Sequence, residues 1–155
     1  FHYQIHYTMS ERKLEDFNNS KGVIKMENFK EIQAKHYAEH EASRAKYENK
    51  VGIYAITCND NIVYVGKSTN LFNRFVAHEM NAMEPTERDY HTKKYTELRE
   101  AVMGGATISY IVLEYCSKEQ LAARESFYIM KYWPALNRQT PQGNKPVESI
   151  EKYWK

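Results

Sequence analysis

The chain has 155 residues, 42% apolar and 27% charged, with a net charge of +2 and two cysteines. That length suits one compact domain with an appendage, and that balance supports a packed core rather than wholesale disorder. The same figures exclude a disulfide scaffold, a membrane-spanning run of about 18 apolar residues and a basic surface spread over the whole chain.

The first ten residues, FHYQIHYTMS, lack the basic and then apolar layout of a secretory signal, so a cytoplasmic location is expected. Apolar positions at partly helical spacing (Met26, Phe29, Ile32, Tyr37, Ala38, Ala42) predict a long helix near 25–48. A shorter helix is predicted around 9–18, capped by Thr8 and Glu11 and separated from the long one by Gly22. His36 and His40 stand four residues apart, a spacing that can hold a metal, but no third ligand accompanies them. A solvated helix face is the simpler reading.

From residue 51 the pattern changes. VGIYAIT and IVYVG are short, β-branched and aromatic, and CNDN between them supplies turn formers, which predicts a β-hairpin. KSTNLFNRFVAHEM follows as a helix capped near Thr69 or Asn70, and NAMEPTERDYHT with Pro85 as a loop. KKYTELREAVMGG reads as a helix stopped by Gly104 and Gly105, and ATISYIVLEY as a third strand. SKEQLAARESFYIMKYW is a final helix, capped at Ser117 and ended by Pro134. The order β-β-α-α-β-α predicts an α+β fold, a small sheet covered by helices. Residues 1–50 form an N-terminal helical extension, 51–140 the domain, and 141–155 a tail that docks through Tyr153 and Trp154. Cys58 and Cys116 have no zinc-ligand spacing and read as idle thiols.

Three groups of side chains do not fit a plain core. Glu125 interrupts the stripe Leu121, Tyr128 and Tyr132 on the last helix, where a lone carboxylate costs several kcal/mol unless it is paired or binds a metal. Arg74 and His78 share a helix face and together offer a planar five-donor fork and a titratable imidazole. Tyr54 and Tyr64, taken singly, are ordinary amphipathic strand residues. Jointly, two phenols, a guanidinium, an imidazole, a carboxylate and Asn137 just past the last helix are what metal-assisted phosphodiester hydrolysis uses.

These residues resemble the GIY-YIG nuclease family, whose two tripeptides stand here as Gly52-Ile53-Tyr54 and Tyr64-Val65-Gly66. Valine replaces isoleucine in the second. The rest of the family pattern follows in order: Arg74 ten residues after Tyr64, His78 a helical turn later, Glu125 on the last core helix and Asn137 twelve residues beyond it. The similarity covers roughly 51–140 and implies a three-stranded antiparallel sheet flanked by helices.

It further implies a divalent-metal-dependent DNA endonuclease that leaves a 5′-phosphate and a 3′-hydroxyl. Glu125 would be the sole carboxylate ligand of Mg²⁺ (or Mn²⁺). Arg74 would stabilise the transition state, Tyr54 or its neighbours would activate water, Tyr64 and His78 would orient water or phosphate, and Asn137 would brace the site. Lys67 is a candidate activating group, since a lysine there can depress the pKa of a nearby tyrosine.

Lys67, Lys93, Lys94, Arg99, Lys131 and Arg138 are expected to grip the substrate, with further DNA contacts from the 81–92 loop and the N-terminal helix. That helix is also available as a homodimer contact. Without a recognisable second DNA-binding domain, a small stand-alone nuclease that selects DNA structure, of phage or repair type, is the leading expectation. The alternatives are a sequence-specific restriction or homing endonuclease and a non-catalytic nucleic-acid-binding module on the same fold. RNA stays open as a substrate, because the core grips phosphate and does not read the sugar.

Overall fold

The computed structural model describes residues 2–3 and 38–155. The expected 9–18 helix with its cap, the Gly22 break, the first part of the 25–48 helix and His36 lie outside the described residues. Residues 38–47 are helical as expected (α1), and Asn49 ends them in the left-handed region at φ 59°. Tyr47 at the end of α1 is fully buried, edge-on to Phe75 at 5.5 Å between ring centroids.

The hairpin forms from β2 (Gly52–Cys58) and β3 (Asn61–Ser68), joined by Asn59 and Asp60 at φ 47° and 68°. Two consecutive positive φ values make a type I′ turn, whose twist matches the strands and which Asn and Asp tolerate best after glycine. Asn59 also ties the hairpin tip down: its side chain accepts from Thr107 N at 2.9 Å and donates to Tyr153 O at 3.1 Å.

The helix after the hairpin, α2 (Leu71–Met83), starts at Asn70, whose side chain accepts from Asn73 N. It is followed by α3 (Lys93–Met103) and β4 (Ile108–Tyr115). A 3-10 turn at Lys118–Gln120 then leads into α4 (Leu121–Tyr132). Beyond it lies a two-residue hairpin, Gln139–Thr140 with Gly143–Asn144.

The three expected strands pair antiparallel in the order β4-β2-β3. The backbone of His2–Tyr3, labelled β1, adds a fourth strand beyond β4 that the sequence did not suggest. Every residue of the central β2 is buried, because both faces of the sheet are covered. On one face Tyr54, Ile56 and Tyr110 pack under α1, α2 and α3, and on the other Ile53, Ala55 and Val65 pack under α4. No helix among the described residues is long and apolar enough to cross a membrane.

The C-terminal segment is tied into this core. Tyr153 and Trp154 pack against it as expected, and the indole lies where a side chain at Gly104 would sit. The sequence reading did not pick out Ile150, which is fully buried with its N–H on Glu97 at 2.9 Å. Replacing Ile150 with alanine is expected to cost about 2–5 kcal/mol in urea unfolding, as for a buried aliphatic residue; a cost near zero would show that the tail merely rests on the surface.

Candidate active site

The glycines of the two tripeptides are explained by what lies against them. A side chain at Gly52 would collide with the Glu114 carbonyl on β4, and one at Gly66 with the phenol of Tyr54, its cross-strand partner. The Tyr54 ring therefore lies across Gly66 and is wholly enclosed. Burial raises the pKa of its hydroxyl well above the ordinary tyrosine value, although Arg74 opposes this.

One turn of α2 places both polar partners of that hydroxyl. Arg74 Nε donates to the Tyr54 oxygen at 3.2 Å, and His78 Nε2 lies 2.5 Å from it. The imidazole is itself fully buried, and its other nitrogen lies 2.8 Å from the Tyr95 hydroxyl on α3. Burial, reinforced by the charges of Lys94 and Arg74, drives the His78 pKa well below its usual value, so the ring is neutral.

A cleft of about 680 Å³ opens beside the outer edge of β3, where helices from the two sheet faces approach each other. Tyr64, Lys93, Lys94, Tyr95, Glu125, Asn137 and Arg138 line it. Burial pushes the Tyr64 phenol pKa up, while Arg74 and the Tyr54 hydroxyl pull it down. Lys94 Nζ lies 4.5 Å from the Tyr64 ring centroid and 4.7 Å from that of Tyr95. Burial lowers its pKa to about 8, with Arg74 adding to the effect.

Glu125 stands across from these groups with its carboxyl pKa raised by burial and opposed by Lys67 and Arg74. Its ion-pair partner is Lys67 Nζ at 3.8 Å. Lys67 therefore faces the carboxylate, and the cations beside the phenols are Arg74 and Lys94. Among the described residues no three His, Cys, Asp or Glu side chains form a metal-binding group. Glu125, partly desolvated in an open cleft, nevertheless suits Mg²⁺, which keeps several waters and needs only one or two carboxylates alongside substrate phosphates.

Asn137 works through the backbone. Its side-chain oxygen accepts from Val65 N and its amide donates to Val65 O, both at 2.9 Å. With Leu136 N donating to Val63 O at 2.9 Å, it pairs the free edge of β3 in place of a further strand.

Two residues expected to grip substrate have other occupations. Arg99 donates to Ala82 O at 2.8 Å and Tyr90 O at 3.2 Å and lies over the Tyr90 ring at 3.7 Å, so it clamps the connection between α2 and α3. Lys131 is exposed beside Tyr132 and does not line the cleft. The sequence reading missed Tyr95. It recurs with Leu98 and Ala101 on the buried face of α3, a spacing that signals core packing and says nothing about a hydroxyl.

Phenols, lysines and the carboxylates of Asp89 and Glu125 around a cleft at the sheet edge, with the Arg74 guanidinium behind it, describe a catalytic α+β domain. The family model for the GIY-YIG catalytic domain matches residues 50–139, more than half of the chain, and the chain belongs to the GIY-YIG nuclease family. Among solved structures, bacteriophage T4 EndoII is 22% identical over 58% of this chain and 74% of that one, with a TM-score of 0.44. The N-terminal GIY-YIG endonuclease domain of UvrC from Thermotoga maritima is 21% identical over 61% of this chain and 92% of that one, with a TM-score of 0.40. No curated protein matches the chain.

Asn137→Ala removes both hydrogen bonds to Val65 and strands a buried donor and acceptor. A loss of about 2–6 kcal/mol is expected in chemical denaturation, counting about 1–3 kcal/mol for each of the two unsatisfied groups; an unchanged midpoint would mean that the edge needs no such pairing.

Proposed function

We propose that this protein is a Mg²⁺- or Mn²⁺-dependent DNA endonuclease that hydrolyses phosphodiester bonds. The observation that carries this reading is the convergence on one cleft of a partly buried carboxylate, Glu125, with Tyr64, Lys93, Lys94 and Arg138, beside the Arg74 guanidinium. Family membership supports it.

A divalent cation held by Glu125 would supply charge neutralisation and polarisation of the phosphoryl group. The chain's own residues do the rest. Lys93, Lys94 and Arg138 hold the backbone phosphates on the cleft rim. Arg74 is kept beside the reacting phosphate by its bond to Tyr54 and offsets charge that develops on the phosphoryl oxygens.

Tyr54 is enclosed and does not reach a water in the cleft, so the oxygen that takes the water proton is that of Tyr64, which gives up its own hydroxyl proton inward towards Tyr54 and His78 as it does so. The water oxygen bonds to phosphorus as the bond from phosphorus to O3′ breaks. The departing O3′ takes up a proton, leaving a 3′-hydroxyl and a 5′-phosphate.

The preferred substrate on this reading is nicked or branched DNA, held through its phosphates by Lys93, Lys94 and Arg138 at the cleft. Purified protein and Glu125→Ala, incubated with supercoiled plasmid and a branched DNA panel with Mg²⁺ or EDTA, test this directly. Cleavage is expected to need the metal and to fall by about a hundredfold or more in the variant. Discrete plasmid fragments would point instead to a sequence-specific enzyme, and binding without cleavage to a non-catalytic module.

Lys94 adds a pH signature. It is protonated below about pH 8 and neutral above, so it attracts phosphate only on the acidic side. DNA binding by the Glu125→Gln protein, followed by fluorescence anisotropy, is expected to weaken as the pH rises through about 8. Lys94→Gln should remove that step, and a step that persists in the variant would assign it to another group. Affinity should also fall steeply with salt as displaced counterions drive binding.

A further inference from the structure

The hydrogen-bond chain behind the cleft has a direction, and a residue outside the family tripeptides sets it. An arginine can only donate, so the contact at 3.2 Å fixes the Tyr54 oxygen as acceptor from Arg74 Nε–H. The Tyr54 hydroxyl proton then needs an acceptor of its own, and His78 Nε2, 2.5 Å from that oxygen, is placed to be it. A neutral imidazole that accepts at Nε2 carries its proton on Nδ1, which faces the Tyr95 oxygen at 2.8 Å.

We propose that Tyr95 is a positioning residue that holds His78 in the tautomer protonated on Nδ1, making Tyr54, His78 and Tyr95 a proton path from the buried phenol to the cleft. The proposal deepens the nuclease reading above and rests on it for its catalytic consequence.

The path balances. The Tyr54 proton passes to Nε2, the Nδ1 proton passes to the Tyr95 oxygen, and the original Tyr95 hydroxyl proton passes to water in the cleft that Tyr95 lines. His78 begins and ends neutral, as its burial beside Arg74 and Lys94 requires. No free phenolate builds up, since burial holds the Tyr54 proton tightly: the proton arriving through Tyr64 joins the Tyr54 oxygen as the original one leaves for His78 Nε2, with Arg74 Nε–H donated to that oxygen throughout. The imidazole is walled in by the rings of Tyr54, Tyr64, Tyr95 and Tyr110, which hold it in place between the two phenols. Coupled bonds of this kind strengthen one another in a low-dielectric interior.

The test reads the tautomer by nitrogen NMR on histidine-labelled full-length protein, with the His78 signals assigned by their loss in His78→Gln. The parent protein is expected to show Nδ1 protonated and Nε2 bare, and Tyr95→Phe to convert His78 to the Nε2–H form. A parent spectrum with the proton already on Nε2, or a spectrum unchanged in Tyr95→Phe, would overturn the assignment. The parent spectrum decides by itself if the variant does not fold.

With DNA, Tyr95→Phe should lose about tenfold or more in kcat, the low end of a general acid–base contribution, while KM and DNA affinity stay unchanged. A rise in KM at constant kcat would instead make Tyr95 a substrate contact and overturn the proposal. If the tautomer is as expected but the parent cuts no DNA, the nuclease reading fails and the tautomer assignment stands.

Discussion

Tyr54 is buried to the last atom on the central strand, and a buried hydroxyl without partners costs roughly 2–7 kcal/mol relative to water. Much of the domain can be understood as the solution to that constraint. Gly66 gives up its side chain so that the phenol can cross it, α2 delivers a donor and an imidazole one turn apart, and α3 delivers Tyr95 to the far side of the imidazole. The same contacts fix how α2 and α3 sit on the sheet. A polar network of this kind is worth having only when complete, because each orphaned member is expensive in a dry interior.

The cleft exists because β3 is an edge strand. Helices on the two sheet faces reach past that edge from opposite sides, so Lys94 from α3 and Glu125 from α4 come to share one space although they belong to different layers. An unpaired edge invites association with another chain, and here Leu136 and Asn137 occupy it beside the site. One segment thereby closes the edge and holds Val65, the middle of the second tripeptide, at the cleft wall. The net charge is modest, yet Lys93, Lys94 and Arg138 are concentrated in the cleft that Glu125 lines, so the local charge there differs from that of the chain as a whole.

The comparison with the sequence reading is most instructive for the basic residues. Lys94 and Arg99 stand five residues apart on the same helix, and in sequence both look like phosphate contacts. One faces the cleft between two tyrosine rings, while the other is turned inward against backbone carbonyls of the preceding connection. Lys67 likewise sits next to the second tripeptide, yet its neighbour is a carboxylate on α4 rather than a phenol. The roles of such residues depend on what the rest of the chain places opposite them, and helical or strand periodicity carries no information about that.

The sequence by itself determined the elements and the family. Short β-branched and aromatic runs around Asn59-Asp60, the Asn70 cap, the glycine stop after α3 and the two tripeptides are local features, set by backbone sterics and side-chain shape. Only the tertiary structure decided that Tyr54 is sealed in and Tyr64 opens to the cleft, that Tyr95 joins His78, and that Arg99 serves the fold. Those outcomes depend on contacts between residues 17 to 72 positions apart, made where burial sets the energy of every polar group.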